Sequence, residues 1–226
     1  MTATPPPEVL ESTAGDLPLE AVVLEIGDRA WSIQHSGAVL TSDQEQAFLK
    51  SDDAKTRPYG IVLWPAAIAL AHDLATRDLT GIRILELGAG TGLPGLVAAA
   101  RGAHVVQTDR SRLVLHLCER NAARNGIATI ERRVADWTEW SDPARYDLVI
   151  GSDVLYSAAL HAPLRQIFER NLAPGGTLLL SDPFRAASLE LLEAMAGAGW
   201  AVTLDKWTVG IAPPLRPVGV FTLVRS

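Results

Sequence analysis

The sequence predicts an α/β fold, a doubly wound and mainly parallel sheet with helices on both faces. Two observations predict it. From Tyr59 onward, short runs rich in Leu, Ile or Val alternate with longer segments of helical spacing, the pattern of parallel strands joined by crossover helices. The first of those runs, Ile84-Leu85-Glu86-Leu87, passes straight into Gly88-Ala89-Gly90-Thr91-Gly92. Glycines at a strand-to-helix turn permit a tight reversal and let a ligand approach the backbone closely.

The elements follow in order. Residues 1–16 are rich in Pro and small polar side chains, bury little surface and read as a flexible leader. Residues 17–58 read as an extension. Within it, alternation over 19–36 broken by Gly27-Asp28 predicts a β-hairpin, with Gly27 supplying positive φ. Ser42 and Glu45 form a capping box ahead of a short helix to about Lys50, and a polar loop covers 51–58. Residues 59–226 form the main domain, with a helix over 65–77 and strands over 83–87, 104–108, 129–134, 147–151 and 177–181. Helices fill the gaps. Apolar runs at 201–204 and 218–224 flank a Pro-rich stretch at 212–217 and predict two closing strands. The helix over 113–125 carries Arg112, Glu119, Arg120 and Arg124 and reads as a solvated face.

Composition excludes several classes. Lys and Arg number 20 against 26 Asp and Glu, a formal charge of −6, without the basic excess of a dedicated nucleic-acid binder. No nucleic-acid partner is expected. Cys118 is the only cysteine, which rules out an internal disulfide, a cysteine-based zinc cluster and a CxxC redox pair; it reads as a small core residue. His35, His72, His104, His116 and His161 lack metal-ligand spacing, so no metal is expected. The longest apolar stretch, 61–71, is too short to span a bilayer, and the N-terminus lacks the basic residue and apolar stretch of a secretory signal. The expected location is cytoplasmic, with no membrane partner.

The acids beside the glycine turn choose among cofactors. Glu86, just before the first glycine, would repel a pyrophosphate and attract the ammonium of an amino-acid-bearing cofactor, which favours S-adenosyl-L-methionine over NAD. Asp109 ends the next strand, where a carboxylate can accept hydrogen bonds from both ribose hydroxyls, a position that suits either cofactor. Asp136-Trp137 follows the third strand and offers adenine a hydrogen-bond acceptor and a ring face. Each lies on the carboxyl edge of a predicted strand, where open α/β sheets bind ligands. The competing readings are an ordinary αβ turn for the glycines and helix caps for the acids.

These residues, together with Ser152-Asp153-Val154-Leu155-Tyr156, resemble the class I, seven-stranded S-adenosylmethionine-dependent methyltransferases. The resemblance runs from about Tyr59 to the C-terminus and implies a Rossmann-like sheet of seven strands. Leu63-Trp64-Pro65 and the Asp153-x-x-Tyr156 pattern resemble methyltransferase family 16, whose members are mostly protein-lysine N-methyltransferases. Ser181-Asp182-Pro183-Phe184-Arg185 is similar to a run in the branch that methylates the β subunit of electron-transfer flavoprotein. The resemblance implies that Trp64 lies against the cofactor, that Glu86 and Gly88, with Gly90 in the same turn, hold its methionine end, and that Asp109 holds its ribose. Asp136 and Trp137 would flank adenine and Ser152 would line the cofactor through its backbone. Asp153 would orient the acceptor nitrogen, and Tyr156 would hydrogen-bond and wall the transfer channel; the competing reading of Asp153 is a helix cap. His161, near this side in sequence, is a lesser candidate as proton acceptor.

The expected reaction is methyl transfer to a protein lysine by direct displacement. A small-molecule N- or O-methyltransferase and a non-catalytic cofactor-binding module are the alternatives. The partner is accordingly a protein substrate or a small-molecule acceptor. The acceptor's identity, the number of methyl groups added, the oligomeric state and the role of the extension stay open at this stage.

Overall fold

The computed structural model describes residues 8–10, 17–36 and 59–225. A three-stranded antiparallel sheet of β1 (Glu8–Leu10), β2 (Leu17–Ile26) and β3 (Arg29–His35) precedes the main domain. Then come α1 (Pro65–Ala75), β4 (Arg83–Leu87), α2 (Leu93–Ala100), β5 (His104–Asp109), α3 (Arg112–Arg124), β6 (Ile130–Val134) and β7 (Tyr146–Ser152). The chain closes with α4 (His161–Asn171), β8 (Leu172–Asp182), α5 (Ala186–Gly197), β9 (Trp200–Val209) and β10 (Arg216–Arg225). The large sheet has seven strands in the order β6-β5-β4-β7-β8-β10-β9. Strands β4 to β8 run parallel, and β10 lies antiparallel to both β8 and β9. The strand order reverses between β4 and β7, which opens a crevice at their carboxyl ends.

Period-two alternation decides what each strand shows to each face. On β4, Ile84 joins the core shared with α1, α2 and the hairpin residues Leu24, Ile26, Trp31 and Ile33, whereas Leu85 and Leu87 join the core under α4 and α5. Pro65 opens α1 at a position that needs no N–H donor. Residues Ala66 to Ala71 of α1 are all buried, as expected of a helix that is apolar all round and enclosed by sheet, hairpin and α2. Asp73, buried on the same helix, is paired with Arg77 at 2.6 Å.

Asparagines fasten the N-terminal sheet to α3. Asn121 accepts from Gln34 N at 2.8 Å and donates to Gln34 O at 3.1 Å, and Asn125 does the same with Ser32 at 3.0 and 2.9 Å. Each side-chain amide thus supplies the donor and acceptor that a neighbouring strand would offer β3.

Three expectations change. The α3 face is only partly solvated: Arg120 donates to Gln34 Oε1 and to Val9 O, and Arg124 donates to Ser32 Oγ, because the small sheet covers it. Glu8–Leu10 pairs antiparallel with β2, although its Pro-rich surroundings read as leader. The closing strands are ten residues each and pair along their full length; polar residues on exposed β9 had hidden half of it. The expected capping box and polar loop between 42 and 58 lie outside the described residues.

Candidate active site

A cavity of about 900 Å³ occupies the crevice at the carboxyl ends of β4, β5 and β7. Its base is the glycine turn. Gly88 sits at φ +65°, and an added Cβ would come within 3.1 Å of Val154 Cγ1 and 3.3 Å of Trp137 Cζ2, so only glycine leaves the backbone open to a ligand there. Gly90 and Trp64 also line this space.

At one end, Asp109 accepts from Ser111 N at 3.0 Å and lies 3.5 Å from Gly90 N, which ties the end of β5 to the turn. Burial raises its carboxyl above the usual range, against these hydrogen bonds. Asp136 and Trp137 form the adjoining wall. Asp136 caps a short 3-10 turn through Thr138 N (2.8 Å) and Thr138 Oγ1 (2.7 Å), and these bonds hold its carboxyl below the ordinary range. The cap reading and the wall position therefore coexist in one residue.

Glu86 is elsewhere. It shares β4's α2-facing side with Ile84, is 2% exposed and does not line the cavity. Its oxygens accept from Gly95 N at 3.2 Å and Gln107 Nε2 at 2.8 Å, while an added Cβ at Gly95 would collide with Glu86 Oε2. Through these bonds Glu86 clamps the first turn of α2 to the sheet. Burial pushes its pKa to about 8. Cys118 Sγ, the core thiol, contacts Gly90 O at 3.1 Å from below the turn, and burial and nearby carboxylates raise its pKa well above the ordinary value.

The opposite end is built by the strand ends of β7 and β8. Ser152, Asp153 and Tyr156 line it, with Tyr156 50% exposed at the rim. Asp153 caps no helix: Arg185 donates from Nε and Nη2 to its two oxygens, each at 2.7 Å. Such a bidentate pair is both strong and directional. Arg185 N in turn donates to Asp182 Oδ1 at 2.7 Å, and Ser188 Oγ bonds Asp182 Oδ2. Among the described residues, Asp153 (φ +53°) and Phe184 (φ +65°) are the non-glycines in the left-handed region; the first is half of this ion pair and the second directly precedes Arg185. Strain of that kind persists where surrounding contacts over-determine the geometry. Sequence reasoning noted Arg185 only within a run; its partnership with Asp153, 32 positions away, needs the fold to bring β7 beside β8. His161 Nε2 contacts Leu155 O at 3.0 Å, outside the cavity lining.

A family model described as lysine methyltransferase matches residues 43–190. The chain belongs to this family. Among its relatives, the zebrafish (Danio rerio) protein N-lysine methyltransferase METTL21A is 35% identical over 138 residues, 58% of this chain and 63% of that protein. The Xenopus laevis histone-arginine methyltransferase METTL23 is 31% identical over 140 residues, 58% of each chain. The mouse EEF1A lysine methyltransferase 3 is 32% identical over 130 residues, 55% of this chain and 56% of that protein. The match thus spans between 56% and 63% of these three relatives. Of solved structures, the Thermus thermophilus 16S rRNA N2 G1207 methyltransferase, in complex with AdoMet and guanosine, superposes with a TM-score of 0.61 at 20% identity, covering 92% of this chain and 51% of that one. The magnesium protoporphyrin IX methyltransferase of Synechocystis, with bound SAM, gives 0.57 at 18% identity over 71% and 78%. At such identities the likeness is one of fold, the Rossmann-like seven-stranded sheet of class I methyltransferases. The family's cofactor, S-adenosyl-L-methionine, fits the residues present: an aromatic wall at Trp137, a carboxylate at the end of β5, and a turn whose backbone a Cβ would obstruct.

Proposed function

We propose that this chain transfers a methyl group from S-adenosyl-L-methionine to a side-chain nitrogen of a protein, lysine in the first instance. One observation carries the reading: a single cavity joins the glycine turn, Asp109 and Trp137 to Asp153, Tyr156 and Arg185. Asp109 would accept from the ribose, Trp137 with Asp136 would flank adenine, and Ser152 and the turn from Gly88 to Gly90 would meet the methionine portion. The bound cofactor supplies an electrophilic methyl group, so the chain has to align the acceptor and exclude water. A lysine, with a reference pKa near 10.4, must shed its proton before attack. The apolar surface of Val62, Trp64, Val154 and Leu160 around the cavity favours the neutral amine by desolvation. Asp153 keeps lone pairs beyond those Arg185 uses and orients the nitrogen by a hydrogen bond, its charge already met, so it does not trap the ammonium.

The half-exposed Tyr156 at the mouth favours a protein side chain over an enclosed small molecule, and a cavity continuous from turn to mouth favours turnover over mere cofactor sensing. A cytoplasmic setting accords with a sequence that has one cysteine, the buried, unpaired Cys118; among the described residues no helix is long and apolar enough to cross a membrane. A second reading, arginine as acceptor, draws on the frog relative named a histone-arginine methyltransferase. The test is incubation of the chain with isotope-labelled cofactor and a panel containing eEF1A and histones, followed by peptide mass spectrometry. Methyl-lysine is expected; methyl-arginine would give the second reading, and label confined to small molecules would overturn both.

A further inference from the structure

We propose that Gln107 is a positioning residue for cofactor binding, the middle member of a row formed by Arg132, Gln107 and Glu86 that fixes the glycine turn from beneath. The register pairs Glu86 with Gln107 and Gln107 with Arg132, so the three stand side by side on β4, β5 and β6 and share one face of the sheet. Two residues back on that face, Ile84, Val105 and Ile130 make an equivalent row that is wholly apolar and part of the core. Two residues forward on β5 stands Asp109, which lines the cavity. The polar row therefore lies between the core and the ligand space, and Gln107 at its centre is fully buried.

Both N–H bonds of the Gln107 amide are spent on the turn and its support. Nε2 donates to Gly92 O at 3.1 Å and to Glu86 Oε2 at 2.8 Å, and Glu86 Oε1 accepts from Gly95 N at 3.2 Å. Gly92 N donates in turn to Ala89 O at 2.8 Å, and Ala89, Gly90 and Thr91 line the cavity. A shift of Gln107 is thus passed through Gly92 to the backbone that meets the ligand. The fit is close. A Cβ at Gly92 would come within 3.1 Å of Gln107 Nε2, and one at Gly95 within 2.6 Å.

The other end of the amide accounts for Arg132. Gln107 Oε1 is buried without a hydrogen-bond partner among the described residues, and so are Arg132 Nε and Nη2. An acceptor and two donors on neighbouring strands are costly unmet and satisfied together, and a modest turn of the Arg132 side chain closes the bond. Its charge already acts on Glu86 and on Cys118 beneath the turn. In the closed row Arg132 donates to Gln107, which donates to Glu86 and Gly92, and a buried network with every member engaged selects one backbone arrangement. A leucine at 107 would continue the apolar row below it; what the amide alone supplies is a hold on the turn and on its support at once.

This role rests on the reading of the cavity as an S-adenosyl-L-methionine site in which the glycine turn meets the methionine portion. Calorimetry on the full chain compares S-adenosylhomocysteine with methylthioadenosine, which lacks the amino-acid portion. Gln107→Leu should weaken S-adenosylhomocysteine about tenfold and methylthioadenosine less than about twofold, because Asp109 and Trp137 still hold the nucleoside. Equal weakening of both ligands would mean a merely structural role, and unchanged affinity for S-adenosylhomocysteine no role; either overturns the proposal. Thermal melting checks that Gln107→Leu is folded. If it is not, Arg132→Met serves, with the same unequal loss expected at about threefold for S-adenosylhomocysteine. Arg132→Lys, which keeps a donor for Gln107 Oε1, should restore the parent affinity; no loss in Arg132→Met overturns the proposal as well. A parent chain that binds neither ligand overturns the reading of the cavity and this role with it, a result distinguished from the others because it precedes any substitution.

Discussion

Glu86 and Asp153 are carboxylates at neighbouring strand ends, and the fold meets their charges differently. Glu86 is enclosed, and desolvation outweighs the hydrogen bonds from Gln107 and Gly95, lifting its pKa from 4.5 to about 8. Between those values the folded chain keeps a proton that the unfolded chain releases, so this group's contribution to stability is full below about pH 4.5 and is lost as pH rises toward 8. Asp109, also raised by burial, acts in the same direction. Denaturant unfolding of Glu86→Gln should therefore show a shallower loss of stability between pH 5 and 8 than the parent; parallel curves would mean Glu86 is ionised in place. Asp153 instead has its charge met by Arg185. Removing either partner leaves the other unpaired at the cavity wall, so Asp153→Ala and Arg185→Met should each lose turnover and stability. The double variant should be less damaged than the sum by about 1–3 kcal/mol, and strict additivity would mean that the pair is not coupled. Asp109→Ala should weaken S-adenosylhomocysteine by about 1–3 kcal/mol in calorimetry through loss of charge-assisted bonds.

At the scale of elements, helix α3 does two jobs, bordering the glycine turn and carrying the N-terminal sheet. Asn121 joins them, since Nδ2 donates to Thr91 O at 2.9 Å as well as to Gln34 O. Asn121→Ala strips partners from buried backbone groups on both sides and should cost about 2–4 kcal/mol. Hydrogen exchange should quicken at the Gln34 amide while β7 and β8 stay protected; uniform acceleration would mean that the hairpin is part of the same cooperative unit. The central strands were legible in sequence because burial on both faces writes them as short apolar runs ending in glycine or acid, as at Leu87-Gly88 and Thr108-Asp109. What was not legible depends on contacts distant in sequence: β1 exists by pairing with β2, and β9 holds its exposed stretch by pairing with β10. The same holds at the site. Trp64, Gly88, Gly90, Asp109, Asp136, Trp137, Ser152, Asp153 and Tyr156 do converge on one cavity. Glu86 does not, because alternation along β4 turns it toward α2, a fact that a motif read as a string does not carry.

At the scale of the whole molecule, the cavity bridges the two halves of the sheet. Gly88, Gly90 and Asp109 come from the β4–β5 half, and Ser152, Asp153 and Arg185 from the β7–β8 half. A ligand filling it contacts both halves at the switch point, so it binds the folded chain and has no comparable site on the unfolded one. Its binding energy then adds directly to folding stability, about 2.7 kcal/mol at a hundredfold excess over Kd. For a domain of this size that is a rise in Tm of roughly 5–10 °C. Differential scanning fluorimetry with S-adenosylhomocysteine should show this rise. NADH should leave Tm unchanged, because the family's cofactor is S-adenosyl-L-methionine. Asp109→Ala should shrink the rise in proportion to its lost affinity, whereas Asn121→Ala should lower the starting Tm and keep the increment. A rise with NADH and none with S-adenosylhomocysteine would transfer the cavity to a dinucleotide and remove the basis of the methyltransferase reading.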